Sequence, residues 1–180
     1  MPSEISKLDR YGLAFDRFET IDLQDCFAAY TPNRIWFDVF LDYKMINSPH
    51  AQIFSLLQKH GKRWLKQQYI HTRYNTMMQG MDKGGSFPQK ILAIYESMKS
   101  GYLFGRHADS HIVVLEVPFA QTRYNRDVPN QGIEIWSGHH RGGCLLAMNQ
   151  PIIKAIVAKD AHPGSCHSAG KVHDLCRRLS

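Results

Sequence analysis

The stretch that decides the fold is Gly132-Ile133-Glu134-Ile135-Trp136-Ser137-Gly138-His139-His140-Arg141-Gly142-Gly143-Cys144-Leu145-Leu146-Ala147-Met148. After Asn149-Gln150-Pro151 it continues as Ile152-Ile-Lys-Ala-Ile-Val-Ala158. Gly132 to Trp136, rich in Ile and Trp, predicts a strand. Ser137 to Arg141 reads as a turn, and Gly142 to Met148 as a short helix ended by Asn149 and Pro151. Ile152 to Ala158 reads as the next strand. A strand, loop, helix and strand with few residues to spare predict an α/β domain.

The turn carries the chemistry. Gly138 has no Cβ, so the backbone there turns tightly and lets a ligand come close. The first N–H groups of the following helix have no internal partner, and with the helix dipole they favour an anion. Arg141 adds a forked donor suited to phosphate oxygens. His139 and His140 add donors that titrate near neutral pH. Gly142 and Gly143 allow either close helix packing or close approach of a ligand. The turn therefore reads as a phosphate or nucleotide cradle, against the alternative that its glycines serve packing alone. By alternation Glu134 and Trp136 share one face of their strand, opposite Ile133 and Ile135. Glu134, Glu116 and Asp127 are the candidate carboxylates for Mg²⁺ or for general base work, against a reading as half-exposed surface acids.

Upstream, His111-Ile-Val-Val-Leu-Glu-Val117 is a clear strand closed by Pro118, and a loop with Arg123, Tyr124, Arg126 and Asp127 follows. A helix begins after Pro88, with Ile91, Leu92, Ile94, Tyr95 and Met98 on one face, and Gly101 stops it. Ser48-Pro49 starts another helix, with Ile53, Leu56 and Leu57, that ends near Gly61. A further helix is expected from Trp64 onward, with Ile70, Tyr74, Met77 and Met78 at helical spacing. Phe18–Leu23 and Ile35–Leu41 are short strand candidates. Residues 1–17 read as a loosely tied arm and 161–180 as a peripheral tail, leaving 1–160 as one domain.

The chain has 180 residues, 43% hydrophobic and 21% charged, which is the composition of a globular domain. Twenty-two Lys and Arg against 16 Asp and Glu give a net charge of +6. Between Lys59 and Lys90 stand seven basic residues and one acid, Asp82, so the excess comes from that stretch. Lys62, Arg63, Lys66 and Arg73 interleave with Trp64, Tyr69 and Tyr74, which suits DNA phosphates with base stacking. The alternative is a solvated helix face whose aromatics pack inward. His71-Thr72-Arg73-Tyr74 could instead reach the nucleotide. No apolar run has the length of a membrane helix, so no membrane insertion is expected. The polar start is unlike a signal peptide, and Cys26, Cys144, Cys166 and Cys176 form no CxxC; the expectation is a reduced, cytoplasmic protein. His162, Cys166, His167, His173 and Cys176 match no standard zinc spacing.

Ile135-Trp136-Ser137-Gly138-His139-His140-Arg141, the helix with Ala147, and Pro151-Ile-Ile-Lys-Ala-Ile-Val157 resemble the nucleotide-binding core of the ParB/sulfiredoxin-like superfamily. There the pattern is strand, Gly-x-x-Arg, helix, strand. The likeness spans about residues 88–160, and its specific part is about ten residues. It implies a small mixed sheet flanked by helices, with ATP and magnesium as ligands. Gly138, His139, His140, Arg141 and Gly142 would hold the nucleotide, and Glu134, Glu116 and His140 would act in catalysis, Glu134 with the metal. Ser137 stands where Asp is common. His139 stands where sulfiredoxins carry their catalytic Cys, and Cys144 lies inside the helix, which excludes sulfiredoxin chemistry. No helix-turn-helix region follows the core, so a full centromere-binding ParB is excluded as well. The short, basic profile resembles the plasmid fertility inhibition factors. That implies an ATPase with DNase or DNA-binding activity that inhibits conjugal DNA transfer, with the conjugation machinery as a possible partner. Two other readings stay open: a small-molecule kinase of the free-serine type using ATP or ADP, and a catalytically silent module that blocks the transfer machinery.

Overall fold

The computed structural model describes residues 3–28, 44–80, 87–101, 111–116 and 132–161. Over these the chain is mixed α/β, as the 132–158 stretch predicts. Helix α1 (Ser3–Leu8) leads into strand β1 (Leu13–Asp22) and the short β2 (Phe27–Ala28). Helices α2 (Pro49–Gln68), α3 (Arg73–Gly80) and α4 (Phe87–Lys99) follow, then β3 (Val113–Glu116), β4 (Ile133–Ser137), α5 (His139–Ala147) and β5 (Ile152–Asp160). One five-stranded sheet has the order β1-β5-β3-β4-β2. β1 runs antiparallel to β5, β5 parallel to β3, β3 antiparallel to β4, and β4 parallel to β2.

The pattern of β5 explains its central place. Ile153, Ala155 and Val157 face one core while Ile156 and Ala158 face another. A strand apolar on both faces must be covered on both. The larger core lies under the helices: Phe54 and Leu57 of α2, Ile91 of α4 and Leu145 of α5 pack onto Val114, Ile135 and Val157. The smaller core joins Leu8 of α1 to Leu13, Val113, Leu115, Ile156 and Ala158, with Trp136 against it. Six residues are too few for a helix to persist alone. Burial of Leu8, 3% exposed, holds α1 in place and contributes about 1.5–3 kcal/mol. The expected alternation holds at Ile133 and Ile135, which face the helices, and at Trp136, which faces α1.

Several boundaries move. The expected arm at 1–17 contains α1 and the first half of β1, because Leu8 and Leu13 find apolar partners across the sheet. β1 ends at Asp22 and the predicted strand starts late, at Phe18. The helix capped by Ser48, whose hydroxyl accepts from the Ala51 N–H at 3.1 Å, does not end at Gly61. Gly61 takes φ 83° and ψ 175°, and the helix resumes past this kink to Gln68. The expected helix from Trp64 is broken by a 3-10 turn at Tyr69–His71 before α3. The turn placed at Ser137–Arg141 is shorter than expected. Gly138 at φ 102° reverses the chain alone, so α5 begins at His139 and not at Gly142. The strand expected at 35–41, the loop at 118–131 with Asp127, and the tail from 162 with its histidines and cysteines lie outside the described residues. Among the described residues no helix is long and apolar enough to cross a membrane.

Candidate functional site

The β4–α5 junction brings several helices to one point. A Cβ on Gly138 would lie 2.9 Å from Ile112 Cγ1 and 3.4 Å from Arg141 Nη2. The Arg141 side chain therefore folds back over the turn. Gly138 contributes no side-chain cap, and its carbonyl accepts the first helical bond from Gly142 at 2.9 Å. Three amides, those of His139, His140 and Arg141, precede that bond at the positive end of the helix dipole.

Behind the turn stands a cluster of rings. The Tyr74 hydroxyl of α3 meets His140 Nε2 at 2.5 Å. The His50 ring of α2 lies 4.8 Å from that of His140 and 5.3 Å from those of His139 and Tyr74. Burial pushes the Tyr74 hydroxyl far up, so it stays protonated and donates. His140 then accepts through Nε2 and carries its own proton on Nδ1. Burial holds the His140 imidazole down at about 3, helped by the positive charges of Lys90, His139 and Arg141. Burial, followed by His140, His139 and Lys90, pushes His50 down as well. His111, beside Ile112, is lowered by burial and then by Lys154 and Arg141. The junction thus sets the cations Lys90 and Arg141 beside the neutral imidazoles of His50 and His140.

The residues singled out in the sequence separate into groups. Gly138, His139, His140 and Arg141 sit together at the junction. Gly142 does not face a ligand: it is buried, and a Cβ there would touch Ile112, Ile135 and Met45 at 3.6 Å. Gly143 serves packing, since a Cβ there would lie 2.7 Å from the His50 carbonyl carbon in the backbone of α2. Glu134 is not a half-exposed acid. It is 2% exposed, and by strand alternation it lies with its partner Leu115 on the α1 side of the sheet, away from α5. Glu116 pairs with Ile133 at the other end of β4 and is engaged by Arg17 at 2.5 Å. Neither carboxylate stands beside the cradle.

Lys62, Arg63, Lys66 and Arg73 are exposed, and Lys62 pairs with Glu96 at 2.9 Å. The aromatics between them are not available to stack bases. Tyr69 and Tyr74 are buried, and Trp64 packs on the core with His60 stacked 5.1 Å away. The stretch is a charged helix face with its rings turned inward. Cys144 is buried, its thiol pushed up to about 12, so it is a core side chain and not a nucleophile.

Sequence reasoning missed His50, Lys90 and His111 as neighbours of the junction. In the sequence Lys90 stands only as one of the basic residues of 59–90, and His71-Thr72-Arg73-Tyr74 is the segment expected to reach across. His50 and His111 carry no motif; only tertiary packing brings them in. The charges of Lys90 and Arg141 and the positive end of the α5 dipole suit an anion. Among the described residues no group of three or more His, Cys, Asp or Glu could hold a metal ion by protein ligands alone, whereas magnesium on a nucleotide is held chiefly by the phosphates with one or two carboxylates. No family model, no curated protein and no solved structure matches the chain.

Proposed function

We propose that the chain binds the polyphosphate of a nucleotide, ATP by the ParB/sulfiredoxin-like resemblance, at the β4–α5 junction. The observation that carries this is Gly138 at φ 102° with Arg141 folded back over it, next to Lys90. Three amides, a guanidinium and an ammonium favour negative charge. Among the described residues neither Glu134, across the sheet, nor Glu116, paired with Ile133 at the other end of β4, stands beside them to oppose it. Arg141 binds phosphate oxygens in its fork, and the α5 amides hold the terminal oxygens. His140 is the catalytic candidate at the junction: to take a proton from a water at the phosphate, its Nε2, the one ring nitrogen with a lone pair, must first release the Tyr74 hydroxyl.

In the full reading the protein is an ATPase with DNase or DNA-binding activity that inhibits conjugal DNA transfer, and Arg63 and Lys66 give DNA a purely electrostatic footing. A second reading is favoured by the position of Glu134 and Glu116. With neither Glu134 nor Glu116 at the cradle, the chain acts as a non-catalytic module that blocks the transfer machinery.

Two assays separate these. Phosphate release from ATP should be measurable in wild type and lost in His140→Gln while ATP is still bound; bound ATP without turnover in wild type selects the silent module. DNA retention should depend steeply on salt, and Arg63→Gln with Lys66→Gln should lower the log–log salt slope by about two. An unchanged slope removes this face from the DNA site.

A further inference from the structure

The sheet face opposite α5 carries aromatic rings that the folding core does not use. Phe15 and Phe18 of β1 are 37% and 38% exposed, with ring centroids 5.2 Å apart. They lie on the α1 side of the sheet, opposite Ala158 and Ile156 of the small core, yet beyond the part that Leu8 covers. The Lys154 ammonium sits 5.0 Å from the Phe18 ring centroid. It makes no ion pair among the described residues. The His111 ring lies 5.3 Å from Phe18 on the other side. His111 is 7% exposed, and its buried Nδ1 meets no hydrogen-bond partner among the described residues.

These residues adjoin the phosphate site. His111 precedes Ile112, whose Cγ1 fills the space over Gly138, and Arg141 Nη2 lies beside it. The charges of Lys154 and Arg141 both act on the His111 ring. So an exposed ring, an unpaired cation and an unsatisfied imidazole run along one end of the sheet into the guanidinium at the start of α5. A ligand that complements this row has a flat π face at one end and negative charge at the other.

We infer that Phe18, flanked by Phe15, Lys154 and His111, is the stacking platform for the base of a free nucleotide whose phosphates reach Arg141. This rests on the phosphate reading of the β4–α5 junction and adds the base to it. A planar base stacks on Phe18, which is sequence-tolerant because every base has a π face. Lys154 lies between base and phosphate, where its charge serves either.

The experiment titrates the full chain by calorimetry with ATP, with tripolyphosphate and with a short single-stranded thymidine oligonucleotide. Wild type, Phe18→Leu, Phe18→Trp and Arg141→Ala are compared. Phe18→Leu should weaken ATP about tenfold, as loss of one base–aromatic stack does, and leave tripolyphosphate within about twofold. Phe18→Trp should keep ATP affinity. Arg141→Ala should weaken both ligands. Equal ATP affinity in wild type and Phe18→Leu overturns the platform and leaves the phosphate site standing. ATP binding lost in Phe18→Leu, with no tripolyphosphate binding in wild type, supports the platform and overturns the phosphate site. A Phe18→Leu defect confined to the oligonucleotide overturns the assignment to a free nucleotide, and absence of ATP binding overturns both.

Discussion

Gly143→Ala is expected to destabilise the fold by about 3 kcal/mol, the upper part of what overpacking a core costs. The added methyl would lie 2.7 Å from the His50 carbonyl carbon, 2.8 Å from its oxygen and 2.9 Å from the Ala51 nitrogen. All three atoms are backbone at the start of α2, so no side chain can swing away. Either α5 lifts from α2 or the first turn of α2 opens, and both disturb the ring cluster at His50. For a chain of this size such a loss lowers the melting midpoint by roughly 6–12 °C. Gly101→Ala is the control: it carries φ 89°, but a Cβ there meets nothing within 4 Å. Its cost is that of the left-handed conformation alone, about 1 kcal/mol. Thermal melts of the two variants check this. A Gly143→Ala midpoint no lower than that of Gly101→Ala would mean that α5 and α2 do not cross so closely.

Acid should unfold this protein before its carboxylates protonate. His50 and His140 are held neutral by burial, with the charges of Lys90, His139 and Arg141 acting in the same direction. Their folded-state values lie below the ordinary 6.5, that of His140 at about 3. The unfolded chain therefore binds more protons than the folded one between about pH 6.5 and 3. The stabilisation is complete above pH 6.5 and is lost as pH falls through that window. Each histidine contributes a slope of up to about 1.4 kcal/mol per pH unit, so His140 alone removes about 1.5–2 kcal/mol between pH 6.5 and 5, and His50 acts in the same direction. Urea unfolding at pH 7, 6 and 5 reads the loss directly. His140→Gln should lower the slope by about one proton. Tyr74→Phe should leave a slope in place while lowering stability at every pH by about 1–2 kcal/mol, because His140 Nε2 loses its donor. A stability flat from pH 7 to 5 would contradict the buried neutral cluster.

How much of this is legible in the sequence depends on the range of the interaction. The strand at 133–137, the helix through Ala147 and the strand from Ile152 follow from local alternation and from Gly138, whose positive φ is a local demand. The Ser48-Pro49 helix start is equally local, since cap and helix are three residues apart. What the sequence hides is tertiary. Residues 3–15 read as an arm because Leu8 and Leu13 show their purpose only against Val113, Leu115 and Ile156. Glu134 reads as a surface acid because alternation tells which residues share a face, not whether that face is covered. Tyr69 and Tyr74 read equally as stacking or as core, and Tyr74 reaches His140 across 66 positions of sequence. The paired Gly142 and Gly143 leave packing and ligand approach both open in the sequence; in the fold both lie against protein atoms, Gly143 against the backbone of α2.

The central claim is that the start of α5 is a phosphate site built on Gly138 and Arg141. Nucleotide-dependent thermal shift tests it most directly, with ATP, CTP and ADP added to wild type and to Arg141→Ala. At a hundred times its dissociation constant, a nucleotide that binds the folded chain adds about 2.7 kcal/mol of stability. That raises the midpoint by roughly 5–10 °C. The account predicts this shift in wild type with at least one of the three, and its loss in Arg141→Ala. No shift with any nucleotide, or an equal shift in both proteins, would contradict it.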